Sequence, residues 1–106
     1  MWPPVPGEDS FVETRLAPQK DPGLKLLEHV VEIMAQTLKA EQLRRLTVEH
    51  QLARAYFVYG DTAQEAQAVK ILEHVVNINS QTLQAEHLSR LKSEYLLAEV
   101  YLSYGI

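Results

Sequence analysis

The sequence predicts an all-α protein made of two helix-turn-helix repeats, a fragment of an α-solenoid. The first observation is a duplication, because residues 25–60 and 70–105 follow the same pattern at a constant spacing of 45 without a gap. The second is the placement of helix breakers: all five prolines lie in the first 22 residues, and Gly60 and Gly105 are the only glycines after residue 23. Duplicated units of this length bury their apolar faces against each other. We therefore expect a stacked scaffold.

Residues 1–21 form an irregular leader in this interpretation. Ser10 and Glu13 have the spacing of a capping box, which predicts a short helix near residues 11–17 that Pro18 ends. This short helix would cap the N-terminal end of the stack. The proline-rich start of the leader is typical of a disordered terminus or, alternatively, of a ligand for a groove.

The first long helix has clear start signals. Asp21 suits an N-cap and Pro22 the first helical position. We predict two repeats over residues 22–106, the first of them at about residues 22–60. Apolar side chains fill about half of the helix circumference, which is wide enough to contact neighbours on two sides. These positions are Leu24, Leu26, Leu27, Val30, Val31, Ile33, Met34 and Leu38.

A second helix over residues 46–59 completes the first repeat, and Gly60 follows it as a C′ residue. Its predicted inner arc consists of Leu46, Leu52, Ala53, Tyr56, Phe57 and Tyr59. Thr62 and Glu65 then have the spacing of another capping box. The same pair of helices is expected to recur over about residues 62–105.

The link between the paired helices contains neither glycine nor proline. Residues 22–59 are therefore compatible with one continuous helix. However, the apolar row of the first helix would then continue through Glu41 and Arg45, which breaks the seam. We expect a turn near residues 40–44 and an equivalent turn near residues 85–89.

Composition argues against several classes of protein. The 106 residues, 46% of them hydrophobic, suffice for one domain, and there is no cysteine for disulfides or thiolate chemistry. A net charge of −4 without a lysine or arginine cluster argues against nucleic-acid binding. No stretch approaches the roughly 18 apolar residues of a membrane span, and the N-terminus lacks the features of a signal peptide. We expect a cytoplasmic protein without a membrane partner.

Groups with catalytic or metal-binding potential are sparse. His29 and Glu32 share one helix face, but the second copy has His74 and Asn77, and one histidine with one carboxylate supplies too few metal ligands. No catalytic triad, Cys-His pair or glycine-rich phosphate loop occurs. We predict no enzyme activity, no metal and no cofactor. Helical spacing favours core packing over a stacking platform for the five tyrosines, Tyr56, Tyr59, Tyr95, Tyr101 and Tyr104.

Two ion pairs are predicted at equivalent positions of the repeats. Arg45 and Glu49 are four residues apart, as are Arg90 and Glu94, and each pair lies near the apolar arc. We interpret both pairs as structural braces between successive helices. In a partly desolvated pair, removal of one partner destabilises the protein by more than the pair contributes.

The residues that close the first repeat carry a family resemblance. Residues 52–60 read Leu-Ala-Arg-Ala-Tyr-Phe-Val-Tyr-Gly, and Glu65-Ala66 lead into the next helix. With the Leu-Leu-Glu-His-Val-Val opening, this pattern resembles tetratricopeptide (TPR) repeats. The long spacing is similar to the kinesin-light-chain-like subclass, as found in fungal NOD-like receptor-type proteins. The resemblance covers residues 24–106, but Glu41-Gln42-Leu43-Arg44 replaces the Asp-His-Pro-Asp-like turn of that subclass.

The resemblance implies a protein-interaction scaffold, in which the first helix of each repeat lines a face that binds a segment of a protein or peptide. This groove face would present Lys25, Glu28, His29, Glu32, Gln36, Lys70, Glu73, His74, Asn77 and Gln81. The face lacks the basic set of a carboxylate clamp for a C-terminal peptide.

Homotypic assembly is the alternative function. Two repeats are fewer than the roughly three that such stacks need, and the last helix is apolar over much of its surface. An uncovered apolar strip of this kind is an interaction surface or an aggregation liability. We therefore expect self-association as a homodimer through Leu96, Val100, Leu102 and Tyr104.

Overall fold

The structure, a computed structural model, describes residues 20–106. In this part of the chain four α-helices follow one another: α1 (Lys20–Thr37), α2 (Leu43–Tyr59), α3 (Thr62–Thr82) and α4 (Leu88–Tyr104). They pair as two antiparallel hairpins, α1 with α2 and α3 with α4, joined by a two-residue link. The predicted fold class, two helix-turn-helix repeats, is confirmed. Residues 1–19 of the predicted leader, including its short helix near residues 11–17, lie outside the described residues.

A turn separates the two helices of each repeat, as the sequence predicts. The helical pattern stops at residues 38–42 and again at residues 83–87, about two residues before the predicted positions. Both turns have the same backbone hydrogen bond, from Gln42 N to Lys39 O (3.1 Å) and from His87 N to Gln84 O (2.9 Å). The tight turn therefore forms without the glycine or proline that usually marks one.

The starts of two helices differ from the prediction. Helix α1 already begins at Lys20, so Asp21 and Pro22 belong to its first turn. Proline is tolerated there because the first backbone N–H groups of a helix have no intrahelical acceptor. For α3 the N-cap is Asp61 rather than Thr62, and it forms a reciprocal capping box with Gln64 at 2.8 and 3.0 Å. The predicted box is wrong by one residue, since the aspartate is the stronger cap.

Two glycines close the repeats for different reasons. Gly105 has φ +71°, the left-handed conformation expected at a helix C-terminus. Gly60 is extended instead, with φ −80°. A Cβ atom at position 60 would lie 2.5 Å from Tyr56 O and 2.7 Å from Gln64 Cβ. Close approach of the two helices, and not backbone conformation, therefore requires glycine at position 60.

Helix α2 is the centre of the core. It packs against α1, α3 and α4, and its contact with α3 is the most extensive. Helices α1 and α3 do not pack against each other. The core cluster contains Leu24, Leu52, Ala53, Tyr56, Ala68, Leu72, Leu96, Leu97 and Val100. None of the helices in the described region is long and apolar enough to cross a membrane.

The prediction of core packing is wrong for two of the tyrosines. Tyr56 is 4% exposed, and Tyr101 and Tyr104 pack partly against the core, where Tyr104 meets Phe57 edge to face. Tyr59, however, is 54% exposed and Tyr95 is 69% exposed. Tyr59 lies on the solvent side of the last turn of α2, and Tyr95 lies on a face of α4 that no described helix covers.

Candidate binding groove and the junction between repeats

A cleft lies between the first helices of the two repeats. Because α1 and α3 each pack on α2 but not on each other, a gap of about 230 Å³ remains between them, with α2 as its floor. The walls are mostly apolar. The lining residues are Val31 from α1, Glu49 and Leu52 from α2, and Lys70, Ile71 and His74 from α3.

The predicted ion pair of the first repeat lies at the floor of this cleft. Arg45 Nε donates to Glu49 Oε2 at 3.1 Å, and Arg45 Nη1 donates to Leu38 O at 3.0 Å. One guanidinium thus holds the glutamate and the C-terminal end of α1 together. Glu49 Oε1 is buried and accepts no hydrogen bond from the described residues. The brace interpretation is confirmed in its geometry, and the glutamate in addition forms part of the floor of the cleft.

The second ion pair has the same geometry but is more exposed to solvent. Arg90 Nε lies 3.0 Å from Glu94 Oε2, and Arg90 Nη1 lies 3.1 Å from Leu83 O. The Glu94 side chain is 38% exposed, whereas that of Glu49 is 10% exposed. Since the sequence places both pairs identically, the difference arises from α3, which covers the first pair, whereas none of the described helices covers the second pair in the same way.

A tyrosine of each second helix reaches a glutamate of the preceding helix. The Tyr56 hydroxyl donates to Glu28, and the Tyr101 hydroxyl donates to Glu73 at 2.5 Å. Burial, and then this hydrogen bond, raise the pKa of Tyr56 well above its ordinary value of 10.0. The hydrogen bond to Glu73 is the main cause that raises the pKa of Tyr101. Glu28 is half-buried and accepts a hydrogen bond from Tyr56, so it is not a freely solvated groove residue.

The predicted groove residues separate into three groups. Lys70 and His74 line the cleft itself. Glu28 and Glu73 are tied to tyrosines, as described above. The others are exposed along α1 and α3 and border the cleft only through their helices: Lys25, His29, Glu32, Gln36, Asn77 and Gln81. Among the described residues, no three His, Asp or Glu side chains are close enough to hold a metal ion.

A polar junction connects the two repeats where α2 meets α3 and α4. His50 Nδ1 and Ser93 Oγ lie 2.9 Å apart, and Ser93 is 3% exposed. Asn79, 1% exposed, lines the same pocket of about 130 Å³, and its Oδ1 has no partner among the described residues. Burial, with Arg54 and Lys92 nearby, lowers the pKa of His50 from its ordinary value of 6.5. The junction therefore favours the neutral imidazole.

Two of the four predicted self-association residues are inside the chain. Leu96 is 6% exposed and Val100 is completely buried, because both pack in the core against α2 and α3. They are unable to contact a second copy while the chain is folded. Tyr104 is half-buried, and Leu102 is 83% exposed. The surface available on α4 consists instead of Leu88, Leu91, Tyr95 and Leu102, together with Ile106 beyond the helix.

Sequence reasoning missed the apolar part of the cleft and the polar junction. Val31, Leu52 and Ile71 belong to apolar arcs, and a helical wheel does not show which parts of an arc remain uncovered. For the junction a signal was present. Asn79 and Ser93 are polar where the first copy has Met34 and Val48, so the duplication departs from its own pattern at buried positions.

Comparison with known proteins identifies related repeat structures. Two matched crystal structures are those of the nearly identical TPR-like repeats of a putative kinesin light chain from Podosopora anserina, one of them a variant with a single substitution. Each is 44% identical to this chain with a TM-score of 0.75, and the match covers 83% of this chain. The chain spans 40% of the length of those proteins. No family model and no curated protein matches.

Proposed function

Because the chain is a TPR-like repeat protein of the kinesin-light-chain-like type, we propose that it is a protein-interaction scaffold that binds a partner segment in the cleft between α1 and α3. The fold is generally that of a non-enzymatic scaffold. The exposed polar residues of both helices, including Glu32, Gln36, Asn77 and Gln81, would flank the bound segment. A cytoplasmic setting stays a prediction.

One observation carries the proposal, namely the cleft itself. It combines apolar walls with a size of about 230 Å³, which suits one large apolar side chain. Lys70 and His74 stand at its edge and are exposed, so they are available to polar groups of the partner's backbone. An extended or helical segment with one apolar anchor residue fits this chemistry.

A selection from a random peptide display library tests the proposal. We expect enriched peptides to share a large apolar anchor and to bind the wild-type chain in fluorescence anisotropy. His74→Asp, at the edge of the cleft, is expected to weaken binding at least tenfold. Ser103→Asp changes the charge equally on the exposed side of α4 and is expected to leave the Kd unchanged. Equal Kd values for both variants would contradict a site in the cleft.

Self-association is a second candidate function, favoured by the exposed apolar side chains of α4. Leu91, Tyr95 and Leu102 are 45, 69 and 83% exposed on the last helix of the described stack. In the first repeat the equivalent helix is covered by α3. We propose that a second copy covers this surface, and a concentration series in sedimentation equilibrium tests it. A monomer at high micromolar concentration would contradict it.

A further inference from the structure

The internal contact between the repeats is a template for a contact between copies of the chain. Each residue of α2 has a counterpart 45 positions later in α4, and each residue of α3 from Glu65 to Thr82 has one 45 positions earlier in α1. In the structure α3 packs on α2. The surface that would fit on α4 is therefore the copy of the α3 surface, which is carried by α1.

Differences in burial locate the two halves of this template. On α2, Leu46 is 2% exposed and Ala53 is fully buried, whereas the equivalent Leu91 is 45% exposed and Ala98 is exposed. These positions lie on one face of the helix, together with Phe57 and its 83% exposed counterpart Leu102. Since the neighbours within each repeat are the same, α3 must bury the α2 face. The α4 face has no described partner.

The other half of the template is also uncovered by any helix within residues 20–106. Ala68, Val75 and Asn79 of α3 are buried against α2, with exposures of 0, 0 and 1%. Their counterparts on α1, Gly23, Val30 and Met34, are exposed or half-buried in the described part of the chain. Beside them Leu26 is 64% exposed and Ile33 is 44% exposed. The N-terminal face of the described part of the stack is thus an apolar surface that matches the face of α3.

Some residues differ in polarity between the two copies of the repeat, and these differences lie on both the α4 face and the N-terminal face. At the internal junction, polar His50 of α2 meets polar Asn79 and Ser93. The counterpart of His50 on α4 is Tyr95. The counterparts of Asn79 and Ser93 on the N-terminal face are Met34 and Val48. All three polar residues of the internal junction are therefore replaced by less polar residues at the two ends of the stack. The two ends thus match each other in polarity, as the surfaces of the internal junction do.

A hollow for the tyrosine ring exists on the N-terminal face. It has a volume of about 320 Å³ and a nearly apolar lining formed by Met34, Leu43, Arg44, Thr47 and Val48. It is the counterpart of the junction pocket, which His50 lines from the neighbouring repeat. Tyr95 is 69% exposed and occupies the position on α4 that corresponds to His50.

We infer that copies of this chain associate head to tail, with Tyr95 of one copy inserted into the Met34, Thr47 and Val48 hollow of the next. The contact is heterologous, so it is able to continue into an open stack, in contrast to a two-fold contact between two α4 helices. This inference rests on the proposed self-association and adds its geometry, and it places a second copy, instead of the predicted leader helix, on the N-terminal face. It is independent of binding in the cleft.

Two complementary variants distinguish the geometries in sedimentation velocity. Tyr95→Glu removes the ring, and Thr47→Glu places a charge in the hollow at an exposed position. For a head-to-tail contact we expect the wild type to grow beyond a dimer with concentration and each variant alone to be monomeric. An equimolar mixture of the variants is expected to stop at a dimer, because one intact ring meets one intact hollow. Tyr59→Glu, on the opposite side of α2, is the control and should associate like the wild type.

Other outcomes overturn the inference in distinguishable ways. If Tyr95→Glu is monomeric while Thr47→Glu still dimerises, the contact is two-fold and the head-to-tail geometry is wrong. If the wild type is monomeric at high micromolar concentration, self-association itself is wrong. A disulfide test does not depend on the folding of the glutamate variants, since the chain has no cysteine of its own. Chains with Tyr95→Cys and Val48→Cys, mixed and oxidised, should cross-link at least tenfold faster than chains with Tyr59→Cys and Val48→Cys. Equal rates would overturn the inference.

Discussion

Replacing Glu49 by alanine is expected to destabilise the protein by about 2 kcal/mol, whereas the same change at Glu94 is expected to cost less than about 1 kcal/mol. The two glutamates occupy equivalent positions and bind equivalent arginines at 3.1 and 3.0 Å. They differ in exposure, 10% against 38% for the side chains. The two variants therefore compare the same ion pair in one protein at two degrees of solvent exposure.

The magnitude follows from what remains after the substitution. Without Glu49, the Arg45 side chain, which is 18% exposed, keeps one hydrogen bond to Leu38 O but loses its counter-charge. Breaking a fully buried pair costs about 3–5 kcal/mol. Part of this is offset, because the unsatisfied Glu49 Oε1 disappears with the side chain, and an unsatisfied buried oxygen costs about 1–3 kcal/mol. The difference is about 2 kcal/mol.

Urea unfolding monitored by circular dichroism measures these differences. Glu32→Ala is a suitable control because this side chain is exposed on α1, and we expect a change within about 0.5 kcal/mol. Glu28 is unsuitable as a control, since it accepts a hydrogen bond from Tyr56. Equal and small effects at Glu49 and Glu94, or a larger effect at Glu94, would refute the reasoning that burial by α3 makes the first brace the stronger one.

Three further perturbations have defined outcomes in the same assay. Gly60→Ala should destabilise the protein by more than about 1 kcal/mol, because the new Cβ would lie 2.5 Å from a backbone oxygen. Gly23→Ala should stabilise the protein by up to about 1 kcal/mol, because a Cβ at position 23 has nothing within 4 Å. The opposite order would contradict the described packing at the link between α2 and α3. Tyr56→Phe should lower the free energy of unfolding by about 1–2 kcal/mol. Tyr101→Phe should lower it by less, because the hydrogen bond from the Tyr101 hydroxyl is exposed. Equal losses for the two variants would show that burial does not strengthen the tyrosine–glutamate hydrogen bond. Because the folded state lowers the pKa of His50, stability should be fully present above pH 6.5 and fall as the pH drops through the lowered pKa. His50→Gln should flatten this dependence below about pH 6.5, and an unchanged slope would mean that another group titrates.

The local features of the fold were predictable from the sequence. The braces followed from the i,i+4 spacing of Arg45 with Glu49 and of Arg90 with Glu94. The break between paired helices followed from charged Glu41 on the continued apolar row. Both depend on residues close in the chain, so helical periodicity determines them. The starts of α1 and α3 were displaced by one or two residues, because neighbouring polar residues compete for the cap.

Features that depend on which helix covers which face were not predictable in this way. Val100 and Leu102 are both apolar on α4, yet one is fully buried and the other is 83% exposed. The periodicity of α4 is weak because apolar residues occur on all its sides, and only the position of α3 separates the inner from the outer ones. The cleft likewise exists because the backbones of α1 and α3 do not approach each other closely, which is a property of how both helices pack on α2.

The central claim is that a partner segment binds between α1 and α3. Methyl NMR of the chain with a selected peptide tests this claim most directly, because Val31, Leu52 and Ile71 place methyl groups in the cleft walls. We predict that these three residues show the largest chemical-shift changes and that they have intermolecular contacts with the peptide's apolar anchor. Largest changes at the methyl groups of Leu91 and Leu102 on α4, with an unperturbed Ile71, would contradict the account.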